Sequence, residues 1–145
     1  MSQRDDQDQR IAAIIGHNDQ LGFDQAVTRF FEYLKTELPF PCDVTGIEDF
    51  RWEEIYVLGP GDPEEYEELK KSQPSYRDHY ELLRIERGVT SKWMLFRGED
   101  IAAHVRRKSD GNTFCLGLSE LQAVERGSRH DQLLDDYAVW FVNNR

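Results

Sequence analysis

Residues 101–121, IAAHVRRKSDGNTFCLGLSEL, decide the fold class. Two runs bearing apolar residues flank Ser109-Asp110-Gly111-Asn112, and Asp-Gly supports the positive backbone angles of a tight turn. The stretch reads as an antiparallel hairpin, with Ser119 capping a short turn into Glu120 and Leu121. Further strands are expected upstream. CDVTGIEDFRWEEIYVLGPGD at 42–62 reads as two short strands closed by a Gly-Pro-Gly turn. HYELLRIER at 79–87 and SKWMLFRG at 91–98 also read as strands.

Helices flank this β-rich middle. Phe23, Val27, Phe30, Phe31, Leu34 and Leu38 recur at helical spacing and form one apolar stripe. Pro39 and Pro41 end it, because the residue before a proline avoids the helical region. A short helix is expected from about Asp6 to Gly16, after a frayed and polar start over residues 1–10. PEEYEELKK at 63–71 reads as a helical turn or two, with proline at the first position and acids at the N-terminus. A last helix is expected from about Asp131, with Leu133, Leu134, Tyr137, Trp140 and Phe141 on one face. Asp135 and Asp136 are expected to suit the positive end of its dipole. The order predicts a single α+β domain over 1–145. Its core would be a small antiparallel sheet or SH3-like barrel with N-terminal helices and a C-terminal helix packed on it.

The charge narrows the partners. The chain has 145 residues and a formal net charge of −10. Nucleic acid as a direct ligand is excluded, because phosphate contacts need clustered Lys and Arg. An anionic membrane surface is excluded for the same reason. Cations, or a basic protein partner, fit. The N-terminus has no apolar stretch suited to a signal peptide, and no run reaches the length of a membrane span. A cytoplasmic protein is expected, with Cys42 and Cys115 as reduced thiols rather than a disulfide.

No nucleophile-elbow, phosphate-loop or His-Glu-x-x-His motif is present, so an enzyme is not expected. His17, His79, His104 and His130 stand singly, and with two distant cysteines they give no zinc spacing. The carboxylates are the uneven feature. From Gly46 to Glu86 twelve acids face five bases, a net of −7. Crowded carboxylates raise one another's pKa unless a cation intervenes. Acids beside turn carbonyls are what a calcium shell of six to eight oxygens needs. The expected ligands are Glu48, Asp49, Glu53, Glu54 and Asp62. An EF-hand is excluded: the nearest candidate, from Asp110, lacks the third oxygen ligand and the glycine at position six.

Three segments carry a family resemblance: LPFP at 38–41 directly after FFEYLKTEL, LSELQAV at 118–124, and DDYAVWF at 135–141. Together they resemble the small bacterial CcbP-type calcium-binding family. That resemblance covers about half of the chain. It implies a compact α+β protein that binds Ca²⁺ through surface acids without EF-hands; the leading reading is a calcium buffer or sensor. The stretch 60–98 is longer than the family pattern, so the ligands rest on charge density alone. The competing reading is a metal-independent acidic interaction module, either an immunity-type inhibitor or a nucleic-acid mimic.

Overall fold

The computed structural model describes residues 3–16 and 21–145; His17 lies outside them. Two helices lead, α1 (Gln3–Ile15) and α2 (Phe23–Glu37). They are followed by β1 (Cys42–Gly46), the short helices α3 (Glu54–Val57) and α4 (Pro63–Leu69), and β2 (His79–Glu86). Strands β3 (Ala102–Arg107), β4 (Thr113–Gly117) and β5 (Leu121–Ala123) precede the closing helix α5 (Arg129–Asn144). The first helix thus starts at Gln3, ahead of the expected Asp6.

All five strands form one antiparallel sheet in the order β4-β3-β2-β1-β5. It is open, with β4 and β5 at its edges. The expected hairpin is β3–β4, with Val105 opposite Phe114. Its turn needs Gly111, which sits at φ +77°. Asp110 fixes that turn by accepting from the Asn112 backbone and from the Arg107 guanidinium.

One sheet face is apolar and takes the helices. Val44, Tyr80, Leu82 and Val105 are buried with Phe30 and Leu34 of α2 and Leu134, Tyr137 and Phe141 of α5. The helix stripes meet in an aromatic cluster, with Phe30 5.2 Å from Trp140 and 5.4 Å from Tyr137, and Phe23 stacked on Trp140 at 5.5 Å. Phe31, expected in this core, is only half-buried. The other face is partly wet, so it carries charge pairs: Arg106 with Glu81 and His104 with Glu86 across β2 and β3, and Arg84 with Glu86 along β2.

The Asp pair of α5 divides. The helix starts earlier than expected, at Arg129, capped by Ser128 Oγ on the Asp131 amide. Asp131 therefore holds the first-turn position that favours an anion. Asp136 is buried and accepts two hydrogen bonds of 2.9 Å from Arg10, tying α1 to α5.

Two expected strands are absent. Residues 51–57 form a 3₁₀ turn running into α3. There Trp52 and Tyr56, four residues apart, meet each other and Tyr66, and Tyr56 stacks on Tyr66 at 5.1 Å. Helical spacing brings these rings together, whereas a strand would not. Residues 91–98 are turns, and their apolar side chains separate: Trp93 meets Phe114, Met94 meets Cys115, and Phe96 meets Phe141.

The long segment between β1 and β2 is fastened at both ends. Glu53, fully buried, accepts from Tyr66 Oη (2.6 Å), Ser75 Oγ (2.7 Å) and the amides of Tyr76 (2.8 Å) and Phe50 (3.3 Å). Arg107, also buried, donates to the carbonyls of Lys70, Lys71 and Gln73 and to Asp78 and Asp110. Those anions push its guanidinium pKa further up, the Asp110 bond contributing most. Cys42 and Cys115 are unpaired. No helix among the described residues is long and apolar enough to cross a membrane.

Candidate cation site

Four segments meet at one side of the sheet: the loop after β1, the 91–98 turns, the 3₁₀ turn Leu118–Glu120, and the outer face of α5. They enclose a groove of ≈ 470 Å³. Four carboxylates line it: Glu48 and Asp49 from the loop, Glu120 from the turn, and Asp135 from α5. Backbone bonding sets this assembly, since the Ile47 amide donates to the Glu120 carbonyl at 2.9 Å. Glu48 and Asp135 are exposed, while Asp49 and Glu120 are half-buried.

Glu120 is the half-buried acid of the turn. Burial pushes its carboxyl up to about 7, and the nearby charge of Asp100 adds to the effect. Only backbone amides oppose that shift, among them Leu95 N at 3.3 Å. Asp100 lies behind it and is held by Ser119 Oγ (2.6 Å), Tyr137 Oη (2.7 Å) and the Ile101 amide (2.7 Å). Burial raises Asp100 to about 6 against those donors. Gly117 permits the two carboxylates to share this corner. A Cβ there would stand 2.5 Å from Asp100 Oδ2 and 2.6 Å from Glu120 Oε2.

Elsewhere among the described residues several acids pair with bases, Asp43 with Lys108, Glu81 with Arg106, and Asp78 and Asp110 with Arg107, while exposed acids such as Glu54 and Glu64 stand without an ion pair. Among the described residues no Lys or Arg forms an ion pair with Glu48, Asp49, Glu120 or Asp135. Asp135 accepts instead from the neutral Gln7 amide at 2.9 Å. The donor set is all oxygen, which suits a hard cation such as Ca²⁺.

Of the five ligands expected from the sequence, Glu48 and Asp49 line the groove. The other three stand apart from it. Glu53 has its oxygens filled by four protein donors. Glu54 is exposed at the start of α3. Asp62 caps α4, accepting from the Glu64 amide at 3.1 Å. Among the described residues no three His, Cys, Asp or Glu side chains converge tightly enough to hold an ion as they stand. Sequence reasoning did not bring Glu120 or Asp135 to this groove. The available signal was Glu120 inside Leu118-Ser-Glu-Leu121, an acid enclosed by two core leucines.

No family model matches the sequence, and no curated protein matches it. Two solved structures share its fold. The crystal structure of Anabaena CcbP is 15% identical, with 97% of this chain and 92% of that chain covered and a TM-score of 0.58. A calcium-binding protein in its calcium-binding form is 15% identical, with 99% and 97% covered and a TM-score of 0.59. The resemblance carried by the LPFP, LSELQAV and DDYAVWF segments thus holds at the level of the fold.

Proposed function

We propose that the protein is a non-EF-hand calcium-binding protein, acting as a buffer or sensor through surface carboxylates. Glu48 and Asp49 would hold the ion with Glu120 and Asp135. The observation that carries this reading is the set of four groove acids that form no ion pair, in a fold shared with a protein solved in its calcium-binding form. The carboxylates would supply negative charge and hard oxygens. The half-buried position of Glu120 makes neutralisation by a cation favourable, because burial penalises its charged form. Glu53 is kept for the fold, while Glu54 and Asp62 add to the negative field that attracts the ion.

A pliant groove of this kind favours Ca²⁺ over Mg²⁺, which demands near-ideal octahedral geometry and gives up water reluctantly. The test is the melting temperature of chelator-stripped protein in about 0.15 M KCl, where a diffuse counterion cloud is screened. Millimolar CaCl₂ should raise it, the underlying stabilisation being about 2.7 kcal/mol at a hundredfold excess over Kd. MgCl₂ should raise it far less. Equal effects of the two ions would refute a coordinated site.

A further inference from the structure

The same groove has an apolar floor that cation binding does not explain. Ile47, Leu95 and Val142 are exposed, at 41%, 38% and 56%. With Phe96 and the half-buried Val139 they form an apolar strip lining the same groove as the acids. Val139 and Val142 follow helical spacing on α5, so the strip runs along a helix face. A second helix could lie against it, ridge into groove.

From this we propose that the groove is a docking surface for an amphipathic helical segment of a partner protein, apolar on one face and flanked by Lys and Arg. Two observations select that occupant. The first is charge complementarity: Glu48, Asp49, Glu120 and Asp135 line the same groove as the apolar strip and form no ion pair, so flanking cations would fill the positions the fold leaves open. The second is that Phe96, which lines the groove, accepts a cation on its ring: the Arg145 guanidinium lies 3.8 Å from the ring centre. A second copy of this chain is a poorer fit, because the groove acids would face a surface of the same sign, at −10 per chain. This inference does not depend on calcium. A bound cation would compete with the partner's Lys and Arg for the same carboxylates.

The test uses a defined probe in EDTA: a fluorescein-labelled peptide of about 15 residues, with leucines at i, i+3, i+4 and i+7 and lysines elsewhere. Anisotropy is read in about 0.15 M KCl. Binding should saturate. Val142→Asp and Leu95→Asp should each weaken it about tenfold or more, as loss of a central anchor does. Leu58→Asp, at an exposed apolar position just after α3 and outside the groove, should leave it unchanged. The three variants add the same negative charge, so simple attraction of a cationic peptide would strengthen in all of them. Glu120→Gln with Asp135→Asn should weaken binding without removing an apolar contact. Melting curves establish that each variant is folded, and Val142→Ser replaces any that is not. The proposal is overturned if the peptide does not bind, or if groove variants and parent bind alike. It is also overturned if sedimentation shows parent dimers that the groove variants abolish.

Discussion

Replacing Glu120 by glutamine changes one half-buried charge and almost nothing else. The folded carboxyl sits at about 7 against an ordinary value of 4.5, with burial as the main cause. A raised acid pKa means that the folded state holds its proton where the unfolded chain has lost it. The stabilising contribution is complete below about pH 4.5 and disappears as the pH rises through about 7. Linkage over that interval gives about 2 kcal/mol more stability at pH 5.5 than at pH 8 from this group alone. Asp100, raised to about 6, acts in the same direction at somewhat lower pH. An amide at this position cannot ionise, so E120Q should gain about 1–3 kcal/mol over the parent at pH 8 and far less at pH 5. Urea unfolding of both proteins in EDTA at several pH values reads this directly, because titrations common to both cancel in the difference. A parent-minus-variant difference that stays flat between pH 5 and 8 would refute the burial argument. So would a variant that is less stable at pH 8.

Trp140→Ala empties a site packed by Phe23, Phe30 and Tyr137, and should cost about 3–5 kcal/mol in chemical unfolding; a loss below about 1 kcal/mol would contradict the packing of α5 on α2. Glu53→Ala strips four donors of their acceptor and should cost about 3–5 kcal/mol, with hydrogen exchange rising first between residues 50 and 76. If calcium still stabilises that variant whenever it is folded, Glu53 serves the fold and not the ion.

The long amphipathic patterns carry the fold. The stripe of α2 and the apolar face of α5 each extend over several turns, and the Asp-Gly turn marks the hairpin directly. Short segments mislead where tertiary contacts outweigh local pattern. Residues 51–57 are rich in aromatic and branched side chains, yet they turn helically because Trp52, Tyr56 and Tyr66 pack on one another. Residues 91–98 have the composition of a strand, although their apolar groups serve three separate contacts. Strand β5 is too short to announce itself and exists through its pairing with β1. For the site, charge density points to Glu48 and Asp49. It cannot separate them from Glu53, whose role depends on partners 13 to 23 residues away. Glu120 and Asp135 join the groove only after the chain folds back from the other end of the sequence.

The claim that Glu48 and Asp49 help to hold calcium meets its most direct test in titration calorimetry. Chelator-stripped parent and the double variant Glu48→Gln, Asp49→Asn are each titrated with CaCl₂ in about 0.15 M KCl. The account predicts saturable heat for the parent and loss of most of it in the variant, with both proteins equally folded at the start. Matching isotherms for the two proteins, or a parent that releases no heat, would contradict it.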